Sequence, residues 1–350
     1  MTELQTLVAT VRREFAPEPR TAIFEVRVDP REDGFAFTGV TTEVDAALEL
    51  VRRAAALVPR RRIHDEVVRL PDPALGDDSW AVVRAALAPM LAAPDIRATQ
   101  VTQCLLGSRL ELLRAAGRWF RVRGEDGYLG WVNRGYLAPG DEGWAHAWQA
   151  AAGGYPAVSL GADLVNAAGD RVLRLPWGAR VARDGGRRCL LPDGGSALLG
   201  VGELVPEADL PERFPTRGDA ILDTARRWLG APYVWGGVTP AGVDCSGFVQ
   251  AVFRLHGVPL PRDAELQTGA GERIDTGAAF ERLRPGDLLF FTEVPGRITH
   301  VAISAGGAGL VHSALSNGGV ASNDLGGGGE LQPALRRMFV EARRVLPGNP

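Results

Sequence analysis

The stretch GVDCSGFVQAVFRLHG, residues 242–257, places Cys245 between Asp244 and Ser246 at the predicted start of a helix. Phe248, Val249, Val252 and Phe253 share one face of that helix, Asp244 suits the N-cap and Gly257 the C′ position. A cysteine at a helix N-terminus meets the positive end of the helix dipole, which favours a thiolate, the nucleophile of a cysteine hydrolase. Such a nucleophile needs a base. The chain has five histidines. His64 and His146 lie far away in sequence, and His256 sits at the other end of the same helix, roughly 16 Å off. His300 in RITHVAIS and His312 in GLVHSAL remain, on two predicted strands joined by the hairpin loop SAGGAG. If the hairpin turns about Gly306, the two imidazoles are directly opposed on one face, ~5 Å apart at Cβ. His300 can then take the thiol proton while His312 orients its ring, the logic of a nucleophile–base–orienter triad. The competing chemistry for Cys245, His300 and His312 is a zinc site, but the close-spaced ligand pairs of typical zinc sites are missing. Cys104 and Cys189 sit in predicted strands and read as small buried hydrophobes.

These side chains must be carried by a larger frame. Residues 1–75 read as helix, strand, strand, helix, strand (LQTLVATVRREF, AIFEVRV, GFAFTGV, EVDAALELVRRAAAL, HDEVVRL), a small α+β module with a weak resemblance to BON-type domains and nothing catalytic in it. Residues 76–140 begin with a Pro-rich junction and a predicted short helix. Short glycine-broken strands follow through WFRVRGEDGYLGWVNRGYL, which fits a small barrel. Residues 141–208 repeat the strand–turn rhythm and end in GELV where the first ends in RGYL, which suggests a second, divergent barrel. A Pro-bearing linker, PEADLPERFPTRG, leads into a last domain spanning 209–350. The expected fold class is α+β and multidomain.

The bulk composition narrows the functional classes. The 350 residues are 45% hydrophobic and 23% charged, with a net charge of −3, so nothing points to nucleic acid or an anionic membrane as partner. Three well-separated cysteines do not make a disulfide framework and fit a reducing compartment. The N-terminus carries Arg12, Arg13 and Glu14 where a secretory leader would be apolar, and no apolar run approaches the ~18 residues of a membrane span, so a cytoplasmic protein is expected.

The combination PYVWGGVTPAGVDCSGFVQAVFRLHGVPLPRDAELQ, LRPGDLLFF, THVAIS and VHS resembles the NlpC-type cell-wall cysteine peptidases over about residues 215–345. The strand order ending in Asp-Gly-Tyr-x-Gly-Trp-Val resembles bacterial SH3-like domains, and the pairing extends the likeness to γ-D-glutamyl-L-diamino acid endopeptidases. The resemblance implies a papain-like α+β catalytic domain behind two SH3-like barrels. Cys245 is then nucleophile, His300 base and His312 orienter. Tyr233 and the Cys245 N–H stabilise the oxyanion, with Tyr233 also at the substrate. Asp244 and Ser246 flank the nucleophile on the substrate side, and the aspartate helps hold the free amine of an N-terminal L-Ala. Tyr128, from the first barrel, closes the same pocket. The family often has serine where this chain has Ala264, and Asp263 is placed to compensate. The implied substrates are murein stem peptides, L-Ala-γ-D-Glu-diamino acid, trimmed before they enter a cleft narrowed by the barrels, as in cell-wall recycling; no cofactor or metal is required. The alternatives are a cell-wall-binding protein with a degenerate catalytic domain, and an amidase or acyltransferase on the same fold.

Overall fold

The computed structural model describes residues 2–151, 153–328 and 331–346, so residues 347–350 of the last segment lie outside it. In the N-terminal segment, helices Glu3–Phe15 and Val44–Leu57 pack on a sheet of Phe24–Pro30, Gly34–Thr41 and Arg62–Arg69. The first two strands pair antiparallel, and the second helix carries the chain across to a parallel third strand. Leu4, Val11, Leu50 and Ala54 close over Phe24, Phe37 and Val67. All five elements read from the sequence are present.

The short helix expected before the first barrel is not. Trp80–Val83 and Leu87–Leu91 are strands of a seven-stranded sheet. Trp80–Val83 lies between Arg109–Ala116 and Leu137–Gly140; Ala81 and Val83 face the barrel core and Val82 packs under Ala145, Trp148 and Ala182, so both faces are buried. A strand enclosed in this way loses its alternation and reads in sequence as a short apolar run, which a helix also produces. In the second barrel, Tyr155–Val165 pairs with Arg171–Leu175, Arg180–Arg183 and Ser196–Pro206, closing five strands. Cys104 and Cys189 are buried in the two barrel cores.

The chain read as a linker contains a helical turn, Leu210–Arg213, and its Phe214 is buried. Beyond it, a six-stranded antiparallel sheet runs in the order Glu272–Ile274, Phe339–Arg344, Pro285–Phe291, His300–Gly306, Gly309–Ala314, Gly319–Asp324. Helices Gly218–Arg226 and Cys245–Leu255 cover one face, with Ile221, Ala225, Phe248 and Val252 packed on Leu288, Phe290, Val301, Ile303 and Val311. The alternate residues Leu289, Phe291, Ala302 and Leu310 fill the other face with Phe280, Leu325 and Leu335. Among the described residues, no helix is long and apolar enough to cross a membrane.

Candidate active site

Cys245 is the first residue of the helix Cys245–Leu255, and the Asp244 side chain caps that helix by accepting from Gly247 N at 2.7 Å. As the first helical residue, Cys245 has a backbone N–H with no partner inside the helix. The preceding glycines let the chain fold back over this end. A Cβ on Gly247 would stand 2.2 Å from the Gly237 carbonyl oxygen, and Gly236 N donates to Asp244 Oδ2 at 2.8 Å.

The helix end is fastened to the histidine strands. Ser313 Oγ, next to His312, donates to the Val243 carbonyl at 2.7 Å. The Cys245 side chain packs in one cluster with Val301, the residue after His300, and the Val301 backbone N–H favours the charged form of the thiol. Tyr233 is tied in by its N–H to Gly318 O at 3.0 Å. Burial, then the neighbouring Cys245 and Asp244, hold its phenol above the ordinary range.

The hairpin does not turn about Gly306. Ser304 pairs with Leu310 and Ile303 with Val311, and Gly306 and Gly307 take the left-handed backbone (φ 92° and 56°) that a tight turn needs. The two histidines are therefore diagonal neighbours and not directly opposed. They keep the same face, because the shift is an even number of residues. Their rings span the diagonal, with centroids 4.9 Å apart and His300 Nε2 2.7 Å from His312 Nδ1. Two nitrogens in hydrogen-bond contact leave no room for a metal between them. Among the described residues, no three His, Cys, Asp or Glu side chains are arranged to hold one.

Burial decides the resting charges. It pushes the Cys245 thiol up to about 12, with help from Asp244, and outweighs the opposing Val301 and Ser246 N–H groups and Arg262. Desolvation thus opposes the thiolate that the helix terminus favours. Burial, and then His312, push His300 down to about 3, and burial also lowers His312. Burial therefore favours the neutral thiol and neutral imidazoles, and the thiol proton moves to a base as the sulfur attacks.

Asp244 and Ser246 are held by a residue that sequence reading missed. Arg262 is buried and grips Asp244 with two bonds, Nη2 to Oδ2 at 2.7 Å and Nη1 to Oδ1 at 3.1 Å. It also donates to Ser246 Oγ at 2.9 Å and, through Nε, to Thr102 Oγ1 of the first barrel at 2.7 Å. With Gly236 and Gly247, the acceptor positions of Asp244 are filled by protein donors. An incoming ammonium group would have to displace one of them. The first barrel also reaches the catalytic domain through Tyr128, whose hydroxyl donates to Asp263 Oδ2 at 3.0 Å. The same oxygen accepts from Arg20 Nη1 of the N-terminal module at 3.1 Å, and Arg20 Nη2 donates to Glu265 at 3.0 Å. Ala264, between these two acids, is buried and offers no hydroxyl. Gln250 of the cysteine helix donates to Asp126 of the same barrel turn at 2.8 Å.

Two family descriptions match parts of the chain. The family description "NlpC/P60 family" matches residues 230–336, and "Bacterial dipeptidyl-peptidase Sh3 domain" matches residues 90–137. A Gamma-D-glutamyl-L-lysine dipeptidyl-peptidase of Bacillus cereus is 28% identical over 266 residues, covering 70% of this chain and 75% of that one. A protein of the same description from Bacillus subtilis is 39% identical over 116 residues, but the match spans only 38% of its length. The crystal structure of an NlpC/P60 family protein from Bacillus cereus superposes with a TM-score of 0.63 at 25% identity, covering 77% of this chain and all of that one (100%).

Proposed function

We propose that this chain, whose C-terminal part is an NlpC/P60 cysteine peptidase domain carried behind a bacterial SH3 domain, cuts the γ-D-glutamyl–L-diamino acid bond of short murein peptides. The family acts on peptidoglycan. The finer reading is supported by the likeness to the two dipeptidyl-peptidases and by the first barrel's Tyr128 meeting Asp263 beside the cysteine helix. A cleft walled on that side by a second domain suits peptides already trimmed from the polymer, as in recycling.

The observation that carries the mechanism is the contact of His300 with His312 at 2.7 Å, at the end of the strand whose Val301 packs with Cys245. His300 uses Nε2 toward His312, which leaves Nδ1 for the thiol. The Cys245 S–H bond breaks as its proton passes to His300, and the sulfur forms a bond to the γ-carbonyl carbon of D-Glu. The oxyanion is met by the Cys245 N–H and the Tyr233 hydroxyl. As the carbonyl reforms, the C–N bond breaks and His300 returns its proton to the departing diamino acid amine. Water, deprotonated at the same imidazole, then hydrolyses the thioester. On this reading Asp263 and Tyr128 meet the free L-Ala amine, and Asp244 and Ser246 reach it by exchanging an Arg262 or glycine N–H contact for the ammonium.

The test is incubation of the full chain with L-Ala-γ-D-Glu-diamino acid tripeptides, read by mass spectrometry. L-Ala-γ-D-Glu and a free diamino acid are expected, with N-acetylated peptide left intact. Cys245→Ala and His300→Ala should each abolish turnover while the chain still folds, read by a cooperative thermal melt. Untouched free-amine peptide, or cleavage at another bond, contradicts the reading.

A further inference from the structure

The chain of hydrogen bonds from the cysteine site does not stop at the second histidine. His312 Nε2 lies 2.9 Å from Asn323 Oδ1 on the next strand, Gly319–Asp324. Asn317 Nδ2, from the turn between those strands, is 2.9 Å from the same Asn323 oxygen and 3.0 Å from His312 Nε2. Four side chains thus form one string, His300–His312–Asn323 with Asn317 bracing the end.

A neutral imidazole carries one proton, so the string has two self-consistent settings. In the first, His312 holds its proton on Nε2 and donates to Asn323 Oδ1. His312 Nδ1 is then an acceptor, His300 must hold its own proton on Nε2 to donate to it, and His300 Nδ1 is left with a free lone pair. In the second, His312 Nε2 accepts from Asn317 and its proton sits on Nδ1, facing His300 Nε2. His300 then carries its proton on Nδ1 and presents a donor, where the reaction needs an acceptor. Only the first setting makes His300 a base toward the thiol, and only Asn323 Oδ1 discriminates in its favour, since a carbonyl oxygen can accept and never donate.

We propose that Asn323, held by Asn317, is the positioning residue that fixes the tautomers of the His312–His300 pair and so keeps His300 Nδ1 open to the Cys245 proton. Asn323 sits diagonally from His312, because its own cross-strand partner is Leu310, and acts only through the imidazole string. The proposal rests on His300 being the base of the reaction described above.

The experiment is nitrogen NMR of the full chain isotopically labelled at histidine, with the ring signals assigned from His300→Gln and His312→Gln variants. It needs no substrate, so failure of the peptidase reading would show separately, as absent turnover by the wild-type chain. The wild-type chain should show both rings as the Nε2–H tautomer. Asn323→Leu removes the acceptor and should bring in the Nδ1–H form at His300, with kcat lowered about 10–100-fold and KM unchanged. Asn323→Asp retains an acceptor oxygen and should retain the wild-type tautomers, which a purely steric role for the residue would not require. An Nδ1–H His300 in the wild-type chain, or an Asn323→Leu variant with unaltered tautomers and kcat, would overturn the proposal.

Discussion

At the scale of single residues, the site is held by charges that water does not reach. Asp244 and Arg262 are both buried and joined by two bonds. Removing one partner of such a pair leaves the other charge uncompensated, so Arg262→Met should lower stability by about 3–5 kcal/mol, read by urea denaturation. A loss under about 1 kcal/mol would mean that the Gly236 and Gly247 amides suffice for Asp244. The histidine pair predicts how stability changes with pH. His300 titrates ordinarily near 6.5 but in the folded chain only near 3. As pH falls through that window the unfolded chain takes up a proton that the native site refuses, so native stability falls with it. The loss in urea midpoint between about pH 7 and about pH 5 should therefore shrink in His300→Gln. An unchanged loss would assign it to other groups. Cys245, His300 and His312 were legible in the sequence because residue type, capping and strand parity all constrain them. Arg262 and Thr102 were not, since 160 positions separate them in the chain and no local pattern links them.

At the scale of elements, the geometry depends on where chains turn and cross. The same-face placement of His300 and His312 followed from strand parity, whereas their exact pairing depended on a tight turn at Gly306 and Gly307 that composition alone did not locate. Asn323 escaped notice because its strand begins after a turn and shows little apolar alternation. Trp80–Val83 reads as helix for the opposite reason: covered on both faces, it has no polar face left to reveal a strand. The glycine loop before Cys245 was legible as a signal, and the structure supplies its cause, the approach of Gly237 to Gly247. Gly247→Ala should force those backbones apart, cost roughly 1–3 kcal/mol in a thermal melt, and lower kcat by displacing the cysteine helix. Full activity with an unchanged melt would show that the loop can yield.

At the scale of the whole molecule, three parts of the chain converge on Asp263. Arg20 from the N-terminal module and Tyr128 from the first barrel both bind Asp263 of the catalytic domain, and Leu129 N donates to Arg20 O at 2.8 Å. The N-terminal module shows no chemistry in its sequence, and it reaches Asp263 through Arg20. Tyr128→Phe should raise KM for free-amine tripeptides about 5–10-fold with little change in kcat, the loss of one hydrogen bond to a charged group. Equal KM values would place Tyr128 outside the substrate wall. Cys245 is expected to form a thioester with the γ-glutamyl group. Acid quench of the chain during turnover of L-Ala-γ-D-Glu-diamino acid, followed by peptide mapping by mass spectrometry, reads it out. An L-Ala-D-Glu adduct is expected on the peptide carrying Cys245 and not in Cys245→Ala. An adduct on Cys104 or Cys189, or continued turnover by Cys245→Ala, would contradict it.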